Sequence, residues 1–126
     1  RRFWGFFSDE FSNPEIFFDK HFVLNYCPLA FLESTGRNRT PDKLPVAESK
    51  PLEMLCNKHL IKVIKVLEPE WLVAVGGFAE KKAKQVLGEM PVKIGRVLHP
   101  SPASPAANRG WADQARKQLQ DQGIWQ

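Results

Sequence analysis

Trp71-Leu72-Val73-Ala74-Val75-Gly76-Gly77 is the stretch on which the fold turns. A continuous apolar run suits a β-strand covered on both faces, as in a parallel sheet. The two glycines then turn the chain into a helix through Phe78, Ala79, Ala83, Val86 and Leu87. A strand, a glycine turn and a helix are the parts of a β-α-β unit, which predicts an α/β domain. The turn lacks the G-x-G-x-x-G spacing that cradles a dinucleotide, so it argues for no nucleotide cofactor. Lys81, Lys82 and Lys84 read as the solvated face of that helix.

Downstream, residues 92–98 form the next predicted strand, which delivers His99 at its C-terminal end. Pro100, Pro102 and Pro105 follow in quick succession. Each fixes φ and removes a backbone donor, so the loop after His99 should be stiff. Ser104-Pro105 reads as a cap and first-turn proline opening a last helix. Trp111, Ala112, Ala115 and Leu119 are the expected inner face of that helix, and Gly123 closes it.

Upstream, Leu52, Leu55, Cys56, Leu60, Val63, Ile64 and Leu67 recur at helical spacing over residues 50–67, and Pro69 ends the run. Cys56 on that stripe reads as a small buried hydrophobe, and His59 beside it as an ordinary half-buried histidine. Residues 34–45 are a polar, proline-punctuated loop with Arg37, Arg39 and Lys43. A solvated loop and a phosphate-contacting one both fit. Thr40-Pro41-Asp42 looks like a cap into a short turn. Residues 21–28, β-branched and aromatic, read as a third strand with Asn25 near its end. The opening residues 1–18 are dense in aromatics, and the spacing of Phe3, Phe7 and Phe11 is helical and core-facing. Asn13-Pro14 restarts the helix. Helix and strand therefore alternate from a first helix to a last, around a small and mostly parallel sheet of three strands. A further strand from outside these residues would complete it.

At 126 residues the chain has the length of one domain. Its 43% hydrophobic and 25% charged content predicts a soluble globular protein. No span-length apolar run and no charged-then-apolar leader is present. Two cysteines are too few for a disulfide framework or a four-cysteine metal site. A net charge of +4 and a pI near 9.2 favour an anionic partner without identifying one.

Asn25 and His99 are thus both expected beyond the carboxyl ends of strands, where ligands bind in open α/β sheets. A carboxamide offers a donor and an acceptor side by side, matching the edge of a nucleobase; a turn-forming asparagine is the competing reading. An imidazole can face an oxygen that gains negative charge. The three histidines are scattered, with no paired-histidine or C-x-x-C spacing for a metal. No G-x-S-x-G elbow supports a serine hydrolase, and Ser101, flanked by prolines, shapes backbone first. A pocket that reads a planar base while loops rich in Ser, Pro and Arg hold phosphate fits chemistry on a base taken out of its stack.

His99-Pro100-Ser101-Pro102-Ala103-Ser104-Pro105-Ala106-Ala107-Asn108-Arg109-Gly110-Trp111 resembles the signature of the single-strand-selective monofunctional uracil-DNA glycosylases, within the uracil-DNA glycosylase superfamily. Residues 2–7 (RFWGFF), 22–29 (FVLNYCPL) and 35–41 (TGRNRTP) agree in the family's order. The resemblance implies a three-layer α/β/α sandwich and hydrolysis of the N-glycosidic bond of uracil and some damaged bases in single- or double-stranded DNA. It needs no cofactor and works as a monomer, in a bacterial cytoplasm or a eukaryotic nucleus. It assigns His99 to the departing uracil anion and Asn25 to the base edge. Ser101 and Pro102 would lie against phosphate, and Ala103, Ser104, Pro105, Asn108 and Arg109 would belong to the wedge that fills the flipped nucleotide's place. Arg37 and Arg39 would contact DNA.

Two departures stand out. Where vertebrate members have an arginine after the H-P-S-P run, this chain has Ala103, which suits a bacterial-looking variant. The family's G-M-N-P-G-P-like motif, whose asparagine positions the attacking water, does not occur in these residues. The chain is therefore expected to be the C-terminal part of one glycosylase domain, impaired on its own. A non-catalytic DNA-binding module using the same loops is the alternative. An iron–sulfur branch of the superfamily is disfavoured by the two cysteines.

Overall fold

The computed structural model describes residues 1–27, 31–32, 34–35, 38–39 and 44–126. The elements are α1 (Arg2–Glu10), α2 (Pro14–Lys20), β1 (Phe31–Leu32), β2 (Asn38–Arg39), α3 (Val46–Leu67), β3 (Trp71–Val75), α4 (Gly77–Leu87), β4 (Lys93–Val97), a 3-10 turn (Ala107–Arg109) and α5 (Trp111–Asp121). They fall into two compact units, one of residues 1–22 and 69–126 and one of residues 23–68. The chain is an α/β protein. None of its described helices is long and apolar enough to cross a membrane.

The first unit is built on the predicted β-α-β element. β3 and β4 pair in parallel with Trp71 opposite Lys93 and Val75 opposite Val97, and α4 crosses between them. Side chains alternate between sheet faces. Val73, Val75 and Val97 share the face that packs on Phe6 of α1, Ala107 of the 3-10 turn and Trp111, Ala115 and Leu119 of α5. Arg96, one residue out of phase, reaches Glu80 of α4 at 3.3 Å and holds that carboxyl below its usual range. The outer backbone at the end of β4 is covered by Gln118 of α5 and Gln122, which caps that helix. The Leu98 N–H donates to Gln118 Oε1 (2.8 Å), and Gln122 both accepts from Arg96 N (2.9 Å) and donates to Arg96 O (2.7 Å). Side chains thus occupy the ladder positions that an added strand would use.

α1 buries Phe6, whose ring meets Trp111 edge-on at 5.5 Å and stacks on Trp125 at 5.6 Å. Phe3 and Phe7 flank it as their spacing predicts; Phe11 lies one residue past the helix. The Asn13-Pro14 signal holds. Asn13 Oδ1 accepts from the Ile16 N–H at 3.0 Å, and Pro14 is the first helical residue. α5 ends as its glycine predicts, with Gly123 at φ +79° and Leu119 O accepting from Ile124 and Trp125.

Four expectations are corrected. Residues 21–27 form no strand. Extended residues become a strand only where their N–H and C=O groups find a ladder, and at the start of this segment the His21 N–H instead closes α2 on Phe17 O at 3.1 Å. β3 is half-covered rather than buried on both faces, with only Ala74 fully inside, because the described sheet that contains it has two strands. The last helix begins at Trp111, not at Ser104-Pro105. Ser104 instead accepts a turn bond from Ala107, and Gly110 at φ +94° resets the chain. Ala112 is therefore exposed, while Trp111, Ala115 and Leu119 are buried.

In the second unit β1 and β2 make a two-residue antiparallel pair, with β2 inside the region read as loop and β1 just ahead of it. α3 starts four residues earlier than its stripe suggested and carries Pro51 within it. Cys56, Leu60 and Ile64 are buried, Leu55 is exposed, and Glu68 in the left-handed region ends the helix just before Pro69. The Thr40-Pro41-Asp42 cap lies outside the described residues.

Candidate active site

His99 stands two residues past the end of β4, with its ring exposed. Its Nδ1 accepts from the Ser101 N–H at 3.1 Å. A nitrogen that accepts carries no proton, so the neutral ring holds its hydrogen on Nε2. Nε2–H is thereby a donor of fixed identity on an exposed ring. Such a group can stabilise an oxygen that becomes negative in a transition state.

The loop behind the ring is built from short-range bonds. Ser101 Oγ accepts from the Ala103 N–H at 3.2 Å and Ser101 O accepts from the Ser104 N–H at 2.9 Å. Ala107 N–H donates to Ser104 O at 3.1 Å and Arg109 N–H to Ala106 O at 3.2 Å. The loop's two ends are tied where Trp111 Nε1–H donates to Leu98 O. Ser101 and Ser104 are half-buried; Pro102, Ala103, Pro105, Asn108 and Arg109 are exposed.

Gly76 forms the floor. At φ +93° it occupies a region that side chains rarely adopt, and an added Cβ would sit 3.2 Å from His99 Cβ and 3.3 Å from Cδ2. Its N–H also donates to Val97 O at 2.9 Å. The glycine at the end of the fold-deciding stretch is thus required by the histidine as well as by the turn. Sequence reading weighed it only as a turn residue. An exposed arginine of α1, Arg2, also reaches this loop through Pro100 O and Asn108, and no local pattern announced it.

Asn25 belongs to the second unit, exposed on the irregular segment 21–27; among the described residues none hydrogen-bonds its carboxamide. What fixes the neighbourhood is the next residue. Tyr26 Oη donates to Asn57 Oδ1 on α3 and lies 3.4 Å from Glu53 O. Burial, with Cys56 and Glu53 nearby, pushes the Tyr26 phenol up to about 12. Burial, then a hydrogen bond with Cys27, pushes the Cys56 thiol up to about 11. Cys56 is buried as expected, and His59 is half-buried with no partner for its Nδ1 among the described residues. Arg39 lies in β2, and Arg37 lies outside the described residues. Among the described residues no three His, Cys, Asp or Glu side chains gather as a metal site.

Comparison with known proteins matches this chain almost end to end. The protein named "Single-strand selective monofunctional uracil-DNA glycosylase" of Rattus norvegicus is 42% identical over 125 residues, 98% of this chain. The chain's relatives are single-strand selective monofunctional uracil-DNA glycosylases. Those of Mus musculus and Bos taurus, similarly named, are 41% and 42% identical over the same length. The chain spans about half the length of these glycosylases, 45% of the rat and mouse proteins and 46% of the bovine one. No protein-family model matches it.

Proposed function

We propose that this chain is the C-terminal part of a single domain, a three-layer α/β/α sandwich, that hydrolyses the N-glycosidic bond of uracil and related damaged bases in DNA. The observation that carries the reading is the exposed His99, held with Nδ1 accepting from the Ser101 N–H on a proline-rich loop, which leaves the hydrogen of the neutral ring on Nε2. Near-complete matching to proteins named as uracil-DNA glycosylases supports it.

In this mechanism the target nucleotide is flipped out of the stack and its base edge is read by the Asn25 carboxamide. His99 Nε2–H donates to the uracil O2, and the hydrogen bond strengthens as the glycosidic bond breaks and the base leaves as an anion. Water completes the hydrolysis at the sugar carbon. Ser101 and Pro102 lie against phosphate. Ala103, Ser104, Pro105, Asn108 and Arg109 form the DNA-facing wedge, with Arg37 and Arg39 contributing positive charge to the strand. The relatives' names carry the word monofunctional, which supports an abasic site in an uncut strand as the product. The protein acts as a monomer on single- or double-stranded DNA without a cofactor, and with mammalian relatives it is assigned to the nucleus.

The test is uracil release from a single-stranded oligonucleotide by the protein at its full natural length. Release of free uracil, with strand scission only after alkali, is the expected result. The 126-residue chain alone is expected to bind DNA but release uracil poorly. Salt-dependent DNA binding by the full-length protein with no uracil release would overturn the enzymatic reading in favour of a binding module.

A further inference from the structure

The loop after His99 contains three prolines, Pro100, Pro102 and Pro105, none with an N–H to give. Carbonyls in such a loop must find donors elsewhere. Two of them find side chains. Pro100 O accepts from Arg2 Nη1 at 3.2 Å, and Pro102 O accepts from Asn108 Nδ2 at 2.9 Å. The second arm of the guanidinium, Nη2, donates to Asn108 Oδ1 at 2.9 Å. One planar fork therefore spans the loop from residue 100 to residue 108. Asn108 is used at both ends, Oδ1 toward Arg2 and Nδ2 toward Pro102.

The root of this bracket is fixed independently of the loop. Arg2 opens α1, whose Phe3 and Phe6 lie 6.4 and 5.5 Å from the Trp111 ring. At its other end α1 is joined to α5 through the Glu10–Arg116 ion pair. Trp111 in turn bonds Leu98 O at the base of the loop. The bracket thus ties the middle of the loop to the same scaffold that holds its ends.

We propose that Arg2 is a positioning residue for His99. Acting through the Pro100 carbonyl and Asn108, it holds the loop so that the Ser101 N–H stays on His99 Nδ1 and the ring keeps its proton on Nε2. Asn108 serves the DNA-facing loop by bracing it. The effect on reaction rate rests on the glycosylase reading; the effect on the ring does not. The competing account is an exposed arginine whose charge merely attracts DNA. Lysine separates the two, because it keeps the charge but lacks the planar fork that meets two acceptors at once.

The test uses the protein at its full natural length, with nitrogen NMR of the His99 ring, amide exchange at Ser101, and single-turnover uracil release. In both Arg2→Met and Arg2→Lys, Ser101 exchange is expected to quicken roughly tenfold, the scale of one lost hydrogen bond. The ring is expected to show mixed tautomers. The chemical step should slow about tenfold or more, as misplacement of a catalytic group by a fraction of an ångström does, with KM little changed. Asn108→Leu, at an exposed position that threatens folding least, should give the same tautomer and exchange signature, and the double variant should perturb the ring no more than either single one. Unchanged exchange and tautomer in Arg2→Met and Asn108→Leu, or full restoration by lysine, would overturn the proposal. If the ring signature moves while even the parent releases no uracil, the bracket stands and the glycosylase reading fails.

Discussion

His99 and Asn25, the two side chains singled out for base chemistry, are held in opposite ways. His99 is exposed, yet its ring nitrogen accepts from Ser101, its loop is cross-bonded, and Gly76 closes in beneath it. Asn25 is also exposed, but its backbone is irregular and its neighbours Tyr26 and Cys27 supply the anchors, bonding Asn57 and Cys56 of α3. In the proposed mechanism the histidine meets a charge that exists only in the transition state, so its geometry has to be in place beforehand. The asparagine would read a base that is present from the moment of binding, and a side chain that settles on arrival would suffice. On that reading pre-organisation is concentrated where charge develops.

Replacing His99 with Leu tests the rigid side of this contrast and should have the largest effect. Loss of the donor is expected to slow uracil release by about 10²–10³-fold with little change in binding, the scale of a lost oxyanion donor. Gly76→Ala comes next. A side chain at φ +93°, 3.2 Å from the imidazole, should destabilise the fold by about 1–3 kcal/mol and move the ring. Thermal unfolding and release rate should fall together, the rate stopping short of the His99→Leu level. Asn25→Ala should weaken discrimination between uracil and other bases by about tenfold, a lost hydrogen-bond pairing, while release of bound uracil slows less. An unaltered base preference would remove Asn25 from the site.

The smallest expected effect concerns what anchors the Asn25 segment. The Cys56 thiol is raised from an ordinary 9.0 to about 11, so the folded state holds this proton more tightly than the unfolded chain does. The associated stability is complete below about pH 9 and is lost as pH climbs toward about 11. Melting temperature should drop across that interval, and Cys56→Ala should flatten the drop.

Legibility followed the range of the interactions. Asn13-Pro14, the Gly123 helix end and the strand–glycine–helix unit rest on neighbours within a few residues, and composition announces them. Residues 21–27 have strand composition, but pairing depends on a distant partner, and the first of their N–H groups, that of His21, is spent closing α2. Ser104-Pro105 carries a true helix-start signal that a turn bond and Gly110 override. His99 was legible because proline crowding marks a held side chain. Arg2, 106 residues from the Asn108 it bonds, was not, since nothing in a nine-residue aromatic helix says what its first side chain reaches.

The central claim is that His99 offers Nε2–H to the oxygen of a departing uracil. It is tested most directly by following that proton by NMR as the full-length protein binds single-stranded DNA holding a non-hydrolysable deoxyuridine analogue. A downfield shift of Nε2–H with the analogue, absent with the same strand carrying thymidine, is the predicted result. A resonance that ignores the analogue, or a proton found on Nδ1, would contradict the account.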